Sequence, residues 1–181
     1  MTTPEEAKAA GELGDYGPLL ALVRDGSEGE QQQAASALAN LAAKADQVAI
    51  AAGTIEPLVE LVRGGGEGSQ KEAAWVLFML AFMNADNRAA IAAAGAIEPL
   101  VALARDGSEG AKDWAAGALG MLAANNADNE AKIVAAGAIE PLMAVARGGS
   151  EEGKAMAAGA LEMLAAKKDE KEAMGRLGYT P

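Results

Sequence analysis

The chain has 181 residues, with 26 acidic against 15 basic side chains and a formal charge of −11, and although 51% of it is apolar it holds two Trp, two Tyr, two Phe, no Cys and no His. That length allows one domain with a sizeable core, or a short repeat array, but not two large domains. Missing cysteine excludes disulfides, thiolate metal sites and cysteine nucleophiles, missing histidine removes the commonest general base and transition-metal ligand, and the acidic surplus argues against nucleic acid or an anionic membrane as partner.

The opening Met1-Thr-Thr-Pro-Glu-Glu has neither the basic stretch nor the apolar run of a secretory signal. Glu5 to Gly14 reads as a helix, followed by Tyr16. A block then recurs. Pro18, Pro57, Pro99 and Pro141 open the phrases Pro-Leu-Leu-Ala-Leu-Val-Arg, Pro-Leu-Val-Glu-Leu-Val-Arg, Pro-Leu-Val-Ala-Leu-Ala-Arg and Pro-Leu-Met-Ala-Val-Ala-Arg, at spacings of 39, 42 and 42 residues. Arg24, Arg63, Arg105 and Arg147 follow six residues after each proline, and Leu38, Leu77, Leu119 and Leu161 follow twenty after. The first spacing is short because residues are missing between Leu41 and Gly53.

Each block predicts three helices. In the last, a short helix runs from Asp128, as N-cap, to about Ala136, with Gly137 as a left-handed stop. A second begins near Pro141, where a missing N–H is tolerated, and stops at Gly148-Gly149; a third runs from after Ser150 to about Ala166. Ser27 and Glu30 have the spacing of a capping box for the third helix of the first block. No segment alternates with period two, so no strand is expected. Ala34, Ala73, Ala115 and Ala157 recur at one position, where a small side chain admits a neighbouring helix. One block cannot bury its own apolar face, so the blocks must stack. The longest glycine-free apolar run, Ala73 to Met83, makes about 16 Å of helix, roughly half a bilayer's ~30 Å core. A soluble chain, compatible with the cytoplasm, is expected.

The phrase Ala-Ala-Gly-Ala-Ile-Glu-Pro-Leu-Val (93–101), followed by Gly-Ser-Glu-Gly and by Ala-Ala-Gly-Ala-Leu-Gly-Met-Leu-Ala (115–123), resembles armadillo repeats, and the likeness covers nearly the whole chain. The resemblance implies an all-α, right-handed superhelical solenoid of about four repeats, whose third helices line a concave groove used for binding and not for catalysis. On this pattern the chain divides into an N-terminal cap (1–16), repeats at 17–45, 46–85, 86–127 and 128–168, and a C-terminal cap (169–181), with Asp169 to Gly178 repeating the first-helix pattern.

No enzyme constellation is found. Gly64, Gly65, Gly66 and Gly68 lack the lysine and Ser/Thr of a phosphate loop and read as an interhelical turn, and Glu151-Glu152 and Asp169-Glu170 fall at helix starts, where negative charge suits the helix dipole. No cofactor and no metal is expected.

The resemblance places groove-facing residues at spacings of four, three, four and three along each third helix. In this chain they are Gly29, Gln33, Ser36, Asn40 and Ala43; Gly68, Glu72, Trp75, Met79 and Phe82; Gly110, Trp114, Gly117, Met121 and Ala124; Glu152, Met156, Gly159, Met163 and Ala166. The family grips the backbone of an extended peptide with a ladder of asparagines. Only Asn40 keeps that residue here; Met79, Met121 and Met163 replace it. A thioether is a weak acceptor and no donor, so it cannot hold a peptide backbone in register. The run Ala73 to Met83 is apolar all round, although stacking needs only the stripe that includes Ala74, Leu77, Leu80 and Ala81, and a helix apolar on every face is normally covered on every face. The expected function is therefore a non-enzymatic scaffold that binds a protein, or a second copy of itself, through Trp75, Phe78, Met79, Phe82, Met83, Trp114, Met121, Met156 and Met163, on a consensus-like and engineered-looking array. Met143 and Met174 are expected to be core fillers. The alternative is a peptide-binding module for a basic extended segment, using Asn40 and Trp75.

Overall fold

The computed structural model describes residues 2–42, 53–82, 84–165, 175 and 178. Among them the regular elements are eleven helices and no strand: α1 (Pro4–Glu12), α2 (Gly17–Asp25), α3 (Glu28–Ala42), α4 (Ile55–Gly64), α5 (Glu67–Ala81), α6 (Ala85–Ala93), α7 (Ile97–Asp106), α8 (Glu109–Ala123), α9 (Ala127–Ala135), α10 (Ile139–Gly148) and α11 (Glu151–Leu164). Each long helix α3, α5, α8 and α11 packs on the next in the series, and each also rests on the shorter helix that precedes it. The expected short helix between Leu41 and Gly53, and the expected C-terminal cap helix from Asp169, lie outside the described residues.

The turns follow from residue type. Gly14, Gly53, Gly95 and Gly137 all have φ between 75 and 88°, the left-handed region that ends a helix cheaply only at glycine. The second helices α4, α7 and α10 begin at Ile55, Ile97 and Ile139, two residues before the prolines. Proline is still tolerated there, because the third residue of a helix has no intrahelical partner for its N–H. Glu30 accepts from both the backbone N–H (2.8 Å) and the hydroxyl (2.7 Å) of Ser27, so that pair is formed at the start of α3. A full reciprocal box sits at Thr3 and Glu6, which cap α1.

The cap of the short helix requires a correction. It is Asn126, not Asp128, that caps α9: Asn126 has extended backbone and its side chain accepts from the Asn129 N–H. Asp128 sits inside the first turn, where its charge faces the positive end of the helix dipole. The same device recurs one block earlier, with Asn84 capping α6 through the Asn87 N–H. Buried Asn87 and Asn129 then donate from Nδ2 to the carbonyls of Leu80 (2.9 Å) and Leu122 (3.0 Å), near the ends of α5 and α8. The phrase Asn-Ala-Asp-Asn thus caps the start of one helix while pinning the end of the one before.

The core is one continuous apolar column. Leu19, Leu38, Leu58, Leu77, Leu80, Leu100, Leu119, Leu122 and Leu142, with Ile91 and Ile133, are fully buried. Each contributes about 1.5–3 kcal/mol by leaving water. Ala34, Ala73, Ala115 and Ala157 are all buried completely, as their recurrence predicts. Met143 is buried in the core; Met174 lies outside the described residues. No single described helix is long and apolar enough to cross a membrane.

The correction can be tested by urea denaturation. Asn129→Ala, which strands the Leu122 carbonyl, is expected to cost about 1–3 kcal/mol. Asn126→Ala should cost about 1 kcal/mol. Asp128→Ala should cost less than either; an Asp128 effect larger than that of Asn126 would restore aspartate as the cap.

Candidate functional site

The long helices α5, α8 and α11 turn one stripe into the core and leave the opposite stripe to the outside of the stack. On α5 that outer stripe holds Trp75, Phe78 and Met79, all half-buried, and Phe82, the cap residue, which is 43% exposed. On α8 it holds Trp114 and Met121, and on α11 Met156 and Met163, again half-buried. Met83 lies outside the described residues, as do Ala43 and Ala166.

Four rings form a continuous run across two helices. Trp75 stacks on Trp114 with centroids 5.8 Å apart and planes at 29°. Phe78 tilts against Trp114 at 5.5 Å, and Phe82 follows Phe78 at 6.1 Å. Such pairs are each worth about 0.5–1.5 kcal/mol beyond the area they bury. The repeat explains how they meet. Forty-two residues after Trp75 comes Gly117, while Trp114 stands one turn earlier, opposite Glu72 in register. Glycine at 117 leaves a niche: a Cβ there would lie 3.1 Å from the Phe78 ring and 2.9 Å from the Met156 sulfur. Phe78 and Met156 fill it from either side, so residues from three consecutive long helices meet over one glycine.

Polar groups border this patch. A hollow of about 400 Å³ is lined by Trp114, Met156, Lys71, Glu109, Asp113, Ser150 and Glu152. Glu109 and Glu152 are exposed, and the stem of Lys71 lies across Gly110. Asp113 is buried; it accepts from the Ser150 hydroxyl at 2.6 Å, and Ser150 in turn caps α11 by accepting from the Gly153 N–H. The Asp113 carboxylate occupies the space a Cβ on Gly153 would need, which makes it a structural tie between α8 and α11. Glu72, one turn before Trp75, is half-buried with its Oε2 buried and without a hydrogen-bond partner; burial raises its carboxyl above the ordinary glutamate range against the opposing pull of Lys71. At the other end of the array Asn40 is exposed, and its amide donates to the Ser36 carbonyl one turn back in its own helix, at 2.9 Å.

The sequence names the four ring residues singly but not their contacts, and it singles out neither Lys71 nor Asp113 in the acidic hollow. The signal lay in the offset between Trp75 and Trp114, which is 39 residues where the repeat is 42. Among the described residues no cluster of acidic side chains has the arrangement of a metal site.

No model of a known protein family matches the sequence, and no relative is found among curated proteins. Solved structures do match. A computationally designed armadillo repeat protein for modular peptide recognition is 32% identical, with a TM-score of 0.82 over 96% of this chain and 75% of that one. The chain belongs to the armadillo repeat family. A second designed armadillo repeat protein, solved in complex with the peptide (KR)4, is 31% identical with a TM-score of 0.81, over 97% of this chain and 75% of that one. An engineered protein at 29% identity gives a TM-score of 0.85, over 97% of this chain and 80% of its own. The likeness is thus to engineered members of the family, and the all-α armadillo solenoid expected from the sequence is the fold these structures share.

Two outcomes follow. Gly117→Ala should destabilise by up to about 2 kcal/mol, despite alanine's better helix propensity, because the Phe78 ring must shift; indole fluorescence, which reports only Trp75 and Trp114, should move to the red. The raised carboxyl of Glu72 favours its neutral form in the fold, so its contribution to stability is greatest below the ordinary glutamate pKa and falls as pH rises through it. The melting temperature of Glu72→Gln should therefore gain on the parent as pH rises from about 3 to 7. A constant difference across that range would contradict the assignment.

Proposed function

We propose that this armadillo chain is a non-enzymatic protein-binding scaffold that takes its partner on the outer stripe of α5, α8 and α11. One observation carries the reading: a run of four aromatic rings ends on exposed Phe82 and is flanked by methionines where the family keeps asparagines. The fold does not require them. The first repeat has Ser36 and Asn40 in the places of Trp75 and Met79, and Ala34, Ala35, Leu38 and Ala39 of its long helix are still fully buried. Binding is expected to follow burial of Trp75, Phe78, Met79, Phe82, Trp114, Met121, Met156 and Met163, with the aromatic residues dominating the energy. The designed relatives, one for modular peptide recognition and one in complex with a peptide, support a scaffold that binds.

A second copy of the chain is one such partner, since an apolar patch can be self-complementary about a twofold axis. A second reading, a basic extended segment held with Asn40 and Trp75, is favoured by the charge of −11 and by the (KR)4 complex of the neighbour.

Light scattering across a hundredfold dilution, at low salt and at about 1 M, where the Debye length is ~3 Å, separates these readings. A dimer that survives high salt and disappears in Met79→Asn supports self-association through this face. A mass of 18.2 kDa throughout removes the second copy as partner. Binding of (KR)4 that vanishes in high salt and is indifferent to Trp114→Gln would favour the basic extended segment over the apolar face.

A further inference from the structure

Resting on that reading of the face, we propose that its guest is an α-helix, amphipathic and cationic, rather than an extended strand. The argument begins with the guest's backbone. An extended segment brings an unpaired N–H and C=O for nearly every residue, and burying them without partners costs about 1–3 kcal/mol each. The middle of this face offers very little to meet them. Met79, Met121 and Met163 stand in equivalent positions on α5, α8 and α11, and a thioether donates nothing and accepts weakly. Phe78 and Phe82 offer none, and each indole offers a single donor. A helix arrives with its backbone already bonded to itself, so it alone can cover this surface without stranding polar groups.

The dimensions agree. Helices packed side by side lie about 8–10 Å apart, so a row of three methionines on three neighbouring helices runs for roughly 16–20 Å. A guest helix rising 1.5 Å per residue covers that in about 11–13 residues, presenting an apolar stripe at helical spacing. Methionine is unbranched and polarizable, and it adapts to side chains of differing shape better than a β-branched residue would.

Charge selects the guest's flanks and counts against a second copy. The hollow lies toward the N-terminal ends of α8 and α11, its nearest lining residues, Trp114 and Met156, two helical turns before Met121 and Met163. It is lined also by the exposed carboxylates of Glu109 and Glu152, and Lys71 is the one cation among its lining residues. Glu72 adds a buried oxygen without a hydrogen-bond partner at the edge of the aromatic run. A second copy would bring its own charge of −11 to the same place. Lysine or arginine on the side of the guest that faces the hollow is drawn toward these carboxylates, and over Trp114 it gains a cation–π contact as well.

The test uses two synthetic peptides of about 14 residues, both of leucine and lysine in the same proportion. In one, leucine recurs at i, i+3, i+4 and i+7; in the other, leucine and lysine alternate with the period of a strand. Neither contains tryptophan, so titration is read from Trp75 and Trp114 emission, and Cα chemical shifts of 13C-labelled peptide report the bound conformation. The helical isomer is expected to bind at least tenfold tighter than the alternating one, with helical Cα shifts. Substituting Met79, Met121 and Met163 together by asparagine, which restores an amide row, should reverse the preference. Glu109→Gln with Glu152→Gln, at exposed positions that leave folding intact, should weaken the helical isomer several-fold, and this arm stands even where the triple variant does not fold. If the alternating isomer binds equally or better while quenching the same indoles, the helical guest is wrong and the apolar face stands. If neither peptide perturbs the indoles, both readings fall.

Discussion

Close approach of the long helices governs everything else in this molecule. α3, α5, α8 and α11 meet flank to flank through alanine and glycine: Ala34, Ala73, Ala115 and Ala157 are fully buried, and a Cβ on Gly120 would stand 3.1 Å from that of Ala160. Larger residues there would push the helices apart and open the leucine column behind them, since well-packed interiors tolerate very little added volume. Small residues on the flanks also leave the identity of the outer-stripe residues free to vary from repeat to repeat. That freedom lets one repeat carry Ser36 and Asn40 while the next carries Trp75 and Met79 on the same scaffold.

The tie between Asp113, Ser150 and Gly153 shows what close approach costs and returns. A carboxylate is brought into a buried position between two helices, where it would be unfavourable without compensation. The Ser150 hydroxyl donates to one oxygen, and the first turn of α11 presents the positive end of its dipole. Absence of a side chain at Gly153 makes the space. The asparagine pairs at 84–87 and 126–129 do related work along the chain, joining the end of a long helix to the short helix after it. The second repeat is thereby fastened to the third, and the third to the fourth, through polar groups as well as leucines.

The architecture was readable in the sequence because recurrence states it directly: the prolines, the glycine stops and the buried alanines all return at the repeat interval, and each fell where expected. Cap identity was misread at Asp128, since aspartate and asparagine both suit helix starts and only the backbone conformation at Asn126 decides between them. The residues of the candidate face were nameable from their positions along the helices. What could not be read was the contact between them. Trp75 and Trp114 differ in register by three residues, and whether rings on adjacent helices then meet depends on interhelical distance and on the vacancy at Gly117. A sequence pattern along one helix contains neither quantity. The raised carboxyl of Glu72 escaped for the same reason, as burial is a property of neighbours.

Repeat arrays are usually treated as interchangeable parts, each unit speaking only to the ones beside it. The indole stack removes that property from this one. Trp114 meets Trp75 because a unit with tryptophan in the later turn precedes a unit with tryptophan in the earlier turn and glycine in the later. Exchange the two units, or set a third between them, and the rings no longer face each other although every core position is still matched. The middle of this array therefore has a syntax. Its units can be lengthened outward or replaced at the ends, but the order of the central pair is part of what the molecule is.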